Sequence, residues 1–430
     1  MLDYSYRRSR LIAAFLGALL VPLGTSSAQD VPAPRLTLTE ALERAFAQSP
    51  ALRARRAELE ETRSELLTAT TYPFNPELEI EAADRSGPDG SATDRGLAIA
   101  QELELAGQRR QRVAAASAEV AAAEAEFLRQ QRLLAARAEA AFAEAVRYRE
   151  LLGVAEADAA LARDFLNYSK RRLDAGAASQ IEVNLARATS GRAERSVRLV
   201  EAAYAEARNV LAEVTGLDLA APPEPVGGLP APHGELSPLS ELLELAVENR
   251  ADLESFRRER QAAQARVRLA LAERFPNLTV GGFYEREEGT DRIFGAGLAI
   301  SVPLFDRNQG GIARTQATLE RVSHENAALR LAVQQEVATA YANLRAARAA
   351  AEFLRAEVAG TLEENVDLLQ RSFAAGKIGA TEVVIFRREF VESQREFLEA
   401  VADAWLARVT LDLATGRLSP PDFSAQEQQP

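Results

Sequence analysis

The chain has 430 residues, of which 47% are hydrophobic and 27% are charged, so it can bury a large apolar core. Its formal net charge is −12, which argues against a nucleic-acid-binding protein, because such a protein neutralises phosphates with excess lysine and arginine. It has no cysteine and only two histidines, His233 and His324, which excludes thiol catalysis, disulfide bonds and Cys/His zinc sites.

The N-terminus carries the pattern of a secretory signal peptide. A basic stretch at 7–10 precedes an apolar run at 11–24, and small residues follow up to Ala28. We predict that residues 1–28 are a signal peptide cut after Ala28. A transmembrane anchor is the alternative, but the run is shorter than the ~20 residues of a spanning helix and contains Pro22. No later run is longer, so a mature chain that crosses a membrane must do so as a closed β-barrel.

The chain contains one long unit twice. Four landmarks recur in the same order at an offset of 200 or 201 residues. They are LTEALERAFAQSPAL at 38–52 with LSELLELAVENRADL at 239–253, GLAIAQEL at 96–103 with GLAISVPL at 297–304, LDAGAASQIEV at 173–183 with FAAGKIGATEV at 373–383, and VTG at 214–216 with ATG at 414–416. This predicts a tandem duplication, because solenoid repeats have much shorter periods.

Composition places the boundaries of the two repeats. The first is predicted to cover 29–220 and the second 239–418. The segment between them, 221–238, is dense in proline and glycine and is predicted to be a linker, in which His233 is solvated. The polar segment 419–430 is predicted to be a disordered tail.

Each repeat is predicted to begin with one helix, at 38–70 and 239–273, with Thr39 and Ser240 as the N-caps. Prolines at 73, 76 and 276 end these helices. Two short strands follow in each repeat. They are predicted at about 76–84 and 95–104 in the first repeat, and at about 277–286 and 293–304 in the second.

Long helices are predicted after the strands. No proline occurs at 89–221 or 304–419, and both stretches are rich in strong helix formers. The segment 108–175 would be about 100 Å long as one helix. A glycine-centred turn, at 174–180 in the first repeat and 374–380 in the second, then predicts the tip of a helical hairpin.

The strands decide between two architectures. The helices alone favour an elongated helical bundle that serves as a scaffold. Strands of about 9–11 residues, however, have the length that crosses a bilayer at a tilt. Four strands cannot close into a barrel, and open edges are not tolerated in lipid. A membrane protein of this kind therefore requires several subunits, and three chains would supply twelve strands. The fold class is mainly α with a small β part.

The whole mature chain resembles the TolC-like outer-membrane efflux factors. The resemblance is carried by the duplicated plan, the glycine tips, the TG ends and the stretch GLAISVPLFDRNQG at 297–310, while QELELAGQRRQRV at 101–113 is similar to the CzcC-like branch of heavy-metal exporters. It implies a homotrimer, with a twelve-stranded β-barrel in outer-membrane lipid and a long α-helical barrel in the periplasm. It also implies a duct that joins a periplasmic adaptor and an inner-membrane RND-type pump to the exterior of a Gram-negative bacterium.

The resemblance assigns functional positions to the two tips. The adaptor-docking residues would be Asp174, Ala175, Gly176 and Ala177 in the first tip, and Ala375, Gly376 and Lys377 in the second. Family members often carry tyrosine and aspartate before the tip glycine, where this chain has Leu173 and Asp174, then Phe373 and Ala374.

Glu182 and Glu382 are candidates for the tunnel entrance. Six such carboxylates in a trimer would favour cations over anions. A second acidic position of some family members is Ile385 in this chain, which makes the entrance less acidic. The alternative for both glutamates is a solvated or salt-bridged helix position.

The sequence offers no catalytic constellation. His324 lies in a helical stretch without a second histidine at metal-ligand spacing, so we predict a surface position, no metal site and no cofactor. The chain is predicted not to be an enzyme, and substrate selection is expected in the pump. A soluble periplasmic coiled-coil scaffold or adaptor remains the alternative to the duct.

Overall fold

The computed structural model describes residues 33–87, 90–229, 236–287, 291–356, 368, 371–373, 375 and 377–418. The predicted signal peptide 1–28, the predicted tail 419–430 and His233 lie outside the described residues. No helix among the described residues combines the length and the apolar content that a membrane span needs.

The described chain is dominated by long helices, with one small sheet at one end. Its elements are, in order, β1 Arg35–Leu36, α1 Leu38–Gln48, α2 Pro50–Thr70, β2 Glu77–Gly87, β3 Gly90–Leu103, α3 Gln108–Asp174, α4 Gln180–Thr215, β4 Glu224–Pro225, α5 Leu239–Asn249, α6 Ala251–Ala272, β5 Leu278–Glu287, β6 Asp291–Ile300, α7 Gln309–Leu354 and α8 Ala380–Ala414. The order of two helices, two strands, a long helix and a returning helix therefore occurs twice.

The single opening helix predicted for each half is wrong, because each is broken once. α1 ends at Gln48 and α2 starts at Pro50, whose ring disfavours helical geometry at the preceding residue, Ser49. The hydroxyl of Ser49 accepts the N–H of Leu52 at 3.2 Å and caps α2. In the second half the break falls at Arg250, between α5 and α6.

The predicted N-caps are also wrong, by two residues in each half. Thr37, not Thr39, caps α1, because its hydroxyl accepts the Glu40 N–H while the Glu40 carboxylate accepts the Thr37 N–H. Pro238, not Ser240, occupies the N-cap of α5 and forms no side-chain cap.

α3 confirms the long helix predicted over 108–175. It has 67 residues, and is about 100 Å long at 1.5 Å per residue. α4 returns beside it, α2 and α6 pack along its first half, and α8 packs along its second half. Buried alanines on α3 allow these close approaches. α3 is therefore the common packing partner of both halves.

The end of α8 lies against the break between α5 and α6. A Cβ at Gly416, where φ is +71°, would lie 2.8 Å from the carbonyl carbon of Asn249, so only glycine fits there. The equivalent Gly216 after α4, with φ of +68°, lies against Gln48 at the end of α1. The two TG sequences thus mark close helix-end contacts.

The main core joins the first and last described segments around the middle of α3. It contains Leu36, Phe142, Leu211, Trp405 and Leu418. The rings of Phe142 and Trp405 meet edge to face, with centroids 6.2 Å apart.

The first part of the predicted linker is held against the helices. Leu36 pairs with Pro225 in the parallel β1–β4 ladder. Arg208 on α4 donates to the carbonyl of Pro223 at 3.0 Å, and Arg149 on α3 donates to the carbonyls of Pro225 and Gly227. These bonds satisfy carbonyls that proline-rich backbone leaves open.

The sheet is four-stranded and antiparallel, in the order β2-β3-β5-β6. Central pairing of β3 with β5 joins the two halves of the chain. β2 and β3 pair up to Gly87 and Gly90, so the first hairpin extends beyond the predicted 76–84 and 95–104. β6 ends at Ile300, before the predicted 304, because Pro303 cannot continue the ladder.

Candidate functional site: the sheet faces and the hairpin tips

One surface of the sheet, which we call the apolar face, carries most of the exposed large hydrophobic side chains of the strands. Alternate residues of paired strands share a face, so the cross-strand register defines its members. Its large hydrophobic and aromatic members are Leu78, Ile80, Leu97, Ile99, Leu103, Leu278, Val280, Tyr284, Phe294, Leu298 and Ile300, and the same face also carries Gln101, Arg95, Arg286 and Arg292. Ile80, Phe294 and Leu298 are 74%, 77% and 74% exposed. Apolar side chains this exposed mark a surface that meets lipid or protein.

The opposite surface, the acidic face, carries Glu77, Glu79, Glu81, Glu102 and Glu285. Gly96 lies between two of them, since a Cβ at this position would be 3.5 Å from Cβ of Glu81 and 3.6 Å from Cγ of Glu285. Carboxylates grouped on one face create a local field that attracts cations.

Both outer strands of the sheet have an open edge. β2 pairs only with β3, and β6 pairs only with β5, within the part of the chain that the structure describes. Such edges expose unpaired N–H and C=O groups and are templates for pairing with another strand.

The first tip is a Schellman turn at the end of α3. The Ala177 N–H donates to the Arg172 carbonyl at 2.7 Å, and the Gly176 N–H donates to the Leu173 carbonyl at 2.9 Å. Gly176 has a φ of +72°, and Asp174, Ala175 and Ala177 around it are exposed. The predicted first-tip residues therefore form one solvent-facing turn.

Glu182 starts α4 directly beside this turn. Its carboxylate pairs with Arg172 at 3.2 Å, and its side chain is only 15% exposed. Arg172 also donates to the Ala177 carbonyl at 2.9 Å and lies 5.5 Å from the ring centroid of Phe373. The salt-bridged alternative that the sequence left open for Glu182 is thus what the structure shows in a single chain.

The second tip repeats part of this pattern. Gly376 and Ala374 lie outside the described residues, but the exposed Lys377 donates its N–H to the Ser372 carbonyl at 2.9 Å. Glu382 accepts the N–H of Gly379 at 2.6 Å and so caps α8, with no ion pair recorded among the described residues. The two entrance candidates therefore have different surroundings.

The second tip packs against the side of α3. Phe373 is 6% exposed, and its ring centroid lies 5.0 Å from that of Tyr168 and 5.2 Å from that of Phe165. Farther from the tips, Arg387 on α8 donates to Asp158 on α3 at 2.5 Å. Burial raises the pKa of the Asp158 carboxyl, and Arg387 opposes this increase. Sequence reasoning missed this pair, since no local pattern connects residues so far apart.

A second arginine network lies where α6 meets α8. A cleft of about 720 Å³ between α3 and α7 is bordered by Arg132, Arg250, Asp252 and Glu336. Arg250 donates to both oxygens of Asp252, at 3.0 and 2.5 Å, and to Glu336 at 2.6 Å and the Ala414 carbonyl at 3.2 Å. Burial opposes ionisation of Asp252, but these contacts with Arg250 hold its pKa below the ordinary value. One guanidinium thus connects α6, α7 and α8.

The carboxylates and His324 do not form a metal site in the described part of the chain. Within the described ranges, no three or more histidine, aspartate or glutamate side chains are grouped to hold a metal ion. His324 lies on the surface, 80% exposed and 3.8 Å from Glu320.

Comparisons with known proteins agree with this architecture. The sequence model of the outer membrane efflux protein family matches residues 41–217 and 242–417. The chain is 27% identical to the cobalt-zinc-cadmium resistance protein CzcC of Cupriavidus metallidurans over 399 residues, 92% of this chain and 94% of that protein. It is 30% identical to protein CyaE of Bordetella pertussis over 347 residues, 75% of this chain and 72% of that one.

Among solved structures, the outer membrane protein VceC of Vibrio cholerae has the same fold. The TM-score is 0.72 at 20% sequence identity, and the match covers 88% of this chain and 96% of VceC.

Proposed function

Because this chain belongs to the outer membrane efflux protein family, we propose that it is the outer-membrane duct of a tripartite export system and works as a homotrimer. Family membership, predicted from the sequence resemblance, is confirmed, and with it efflux as the function and the outer membrane as the location. The proposal concerns the assembly, its partners and its substrate.

The observation that carries the proposal is one open sheet with an apolar face and an acidic face. Three such sheets, joined edge to edge through β2 and β6, give a twelve-stranded barrel. Joining satisfies the open edges, places the apolar face toward lipid and places the acidic face toward the lumen. α3, α4, α7 and α8 of the three chains then form the periplasmic tunnel.

We place the adaptor at the hairpin tips. The first tip, Asp174 to Ala177, is exposed and rigidly formed, while Lys377 presents a positive charge at the second tip. Both lie far from the sheet. α3 begins next to the sheet and extends for 67 residues to the first tip, and Phe373 of the second tip packs against Phe165 and Tyr168 near the same end of α3. An adaptor docked there would connect the tunnel to an inner-membrane RND-type pump.

We propose divalent heavy-metal cations as the substrate class. Two features support this: the name of the relative CzcC specifies cobalt, zinc and cadmium resistance, and the acidic face lines the proposed lumen. Glu382, which caps α8 and forms no ion pair within the described ranges, would add three charges at the entrance of a trimer. No catalytic step and no resident cofactor is part of the proposal.

We also propose that the chain arose by duplication, with repeats at 29–220 and 239–418 joined by 221–238. The element order that occurs twice and the two separate family matches support these boundaries.

The first test is fractionation of natively expressed protein, followed by native mass measurement after detergent extraction. The duct predicts recovery in the outer membrane with the mass of three chains. A soluble monomer or dimer in the periplasm would contradict it and favour the scaffold.

A second test addresses the entrance. The substitution Glu382→Gln keeps an oxygen that can cap Gly379 but removes the charge. In planar bilayers with a potassium chloride gradient, we expect the variant to lose part of the cation preference at unchanged protein stability. If the cation preference of Glu382→Gln equals that of wild type, Glu382 does not line the entrance.

A further inference from the structure

The cleft between α3 and α7 has the size and the lining of a small-molecule site. Its volume of about 720 Å³ lies within the range of pockets that hold drug-sized ligands. The apolar part of its lining comprises Leu133, Leu329, Ala340, Leu413 and Ala414. Such sites usually combine an apolar wall with a few polar groups that orient the ligand.

The cleft is open to solvent and lies to one side of α5. α5 packs against Val333 and Val337 of α7. Gln335, Thr339 and Asn343 of α7 border the cleft instead, and their side chains are exposed. The lining comes from a single chain, so the cleft does not depend on a second subunit.

Two of the three guanidinium groups in this lining are already paired with carboxylates. Arg129 donates to both oxygens of Glu126, at 2.7 and 2.8 Å. Arg250 donates to both oxygens of Asp252 and to Glu336 at 2.6 Å. These bidentate contacts satisfy both groups within the chain.

Arg132 is the third guanidinium, and it forms no ion pair with the residues that the structure describes. Its Nη1 donates to the carbonyl of Asn249, and its Nε is buried without an acceptor. Burial lowers the pKa of Arg132, and the nearby charge of Asp252 opposes this decrease only in part. Because both oxygens of Asp252 accept from Arg250, an added anionic acceptor would stabilise the Arg132 charge.

The Arg132 guanidinium is held where three parts of the chain meet. The Asn249 carbonyl oxygen that accepts its hydrogen bond would lie 2.8 Å from a Cβ at Gly416. α3, the break between α5 and α6, and the end of α8 therefore converge beside this cation. A cation held in place next to an apolar wall favours ligands that carry both an anionic group and an apolar body.

We propose that this cleft binds small organic carboxylates that carry an apolar ring system. The carboxylate accepts hydrogen bonds from the guanidinium of Arg132, and the rings contact Leu133, Leu329 and Leu413. The bound molecule bridges α3 and α7 beside the end of α8. This inference goes beyond the proposed export of cations, and it does not rest on the trimer because one chain supplies the lining.

The test is isothermal titration calorimetry of the purified protein in lipid nanodiscs, with 2-naphthoate as the probe. Naphthalene-2-carboxamide has the same rings and nearly the same shape without the charge. Empty nanodiscs measure partition of each probe into lipid. We expect naphthoate to bind on the order of tenfold more tightly than the carboxamide, because hydrogen bonds to charged groups are the stronger ones.

Variants of the lining separate the charge from the apolar wall. Arg132→Gln should weaken naphthoate binding on the order of 10- to 100-fold and leave carboxamide binding nearly unchanged. Arg132→Lys keeps the charge without the paired donors and should recover part of the loss. Leu133→Asn, at a side chain that is 38% exposed, should weaken binding of both probes about fivefold.

Arg137→Gln is the matched control on α3. Arg137 pairs with Glu213 at 2.8 Å and is not part of the cleft lining, so this variant should bind naphthoate as wild type does. Thermal unfolding without probe shows whether each variant is folded. If Arg132→Gln unfolds, Leu133→Asn and the comparison of the two probes still decide the result.

Three outcomes would overturn the inference. One is equal naphthoate affinity in wild type and folded Arg132→Gln, and another is equal affinity of wild type for naphthoate and the carboxamide. The third is naphthoate binding only after deletion of 419–430, which would make that segment the occupant of the cleft. Failure to recover a trimer from the outer membrane would contradict the proposed function but would leave this site untouched.

Discussion

Arg387 and Asp158 form an ion pair between α8 and α3 with an N–O distance of 2.5 Å, and their side chains are only 12% and 10% exposed. The same guanidinium donates to the backbone carbonyl of Asp158 at 3.2 Å. Both charges are therefore satisfied chiefly by each other. Together with the packing of Phe373, this pair fixes the second hairpin against the first.

We expect Arg387→Met to destabilise the protein by about 3 kcal/mol, because it leaves a buried carboxylate without its partner. The double variant Arg387→Met, Asp158→Leu should regain most of this loss, since apolar replacement of both partners removes the unpaired charge. Thermal unfolding of the detergent-solubilised protein measures both. Arg395→Met is the control on the same helix, because its pair with Glu399 is exposed and should contribute less than about 0.5 kcal/mol. If Arg387→Met and Arg395→Met destabilised the protein equally, burial of the Arg387–Asp158 pair would not explain the loss.

Asp252 should make stability depend on acid pH. Its pKa in the folded chain lies below the ordinary value because Arg250 stabilises the carboxylate more than burial disfavours it. The folded state therefore binds fewer protons than the unfolded state in this range, and its stability falls as pH drops below about 4. We expect Asp252→Asn to be less stable than wild type at pH 7 and to lose less stability on acidification. If wild type and Asp252→Asn lost the same amount of stability between pH 7 and pH 3, this prediction would be wrong.

Alanine substitutions at three glycines should change the free energy of unfolding by amounts that depend on the surroundings of each glycine. Gly416→Ala combines a left-handed backbone with a contact of 2.8 Å to the Asn249 backbone, so we expect a loss above about 2 kcal/mol. Gly176→Ala should lower the free energy of unfolding by only about 1 kcal/mol, because Gly176 has a φ of +72° but open space around it. Gly153→Ala should raise the free energy of unfolding by about 0.5–1 kcal/mol, because Gly153 lies inside α3 and a Cβ there would have no atom within 4 Å. Thermal unfolding should rank the three variants in this order.

The acidic face should set the charge preference of the channel. The triple variant Glu77→Gln, Glu79→Gln, Glu81→Gln removes three carboxylates per chain from the proposed lumen and should reduce the cation-to-anion permeability ratio. Reversal potentials in a tenfold potassium chloride gradient measure this ratio. Glutamine at Glu43, Glu244 and Glu248, exposed on α1 and α5, removes the same charge elsewhere and should change nothing. A similar shift in both triple variants would indicate a long-range effect of net charge.

The features that the sequence predicted correctly are repetitive or local. α3 was predicted because 67 residues of strong helix formers contain no helix-breaking proline. The Gly176 turn was predicted because a lone glycine after such a helix is the usual residue of a left-handed C-cap.

The features that it missed depend on distant contacts or weak local signals. The helix break at Arg250 has no proline to mark it, and the contacts of Arg250 with Glu336 and Ala414 come from elements far along the chain. Residues of the two halves can be assigned to the two faces of the sheet only from the β3–β5 register, which pairs Leu97 with Tyr284 and Arg95 with Arg286. The sequence leaves a salt-bridged position open for Glu182, but it does not identify Arg172 as the partner, because that contact depends on the three-dimensional turn.

The core around Phe142 has a consequence for the order of folding during synthesis. Leu36 near the start of the described chain and Leu418 at its end belong to the same buried cluster. Trp405 and Val409, which cover that part of α3, belong to α8 and follow α3 in the chain only after both strand pairs and α7. The hairpin of α3 and α4 can form early from local contacts, but one side of it stays uncovered until α8 has also been exported. During that interval the half-finished molecule exposes Phe142 and its neighbours, so a periplasmic holding chaperone would find its binding surface there.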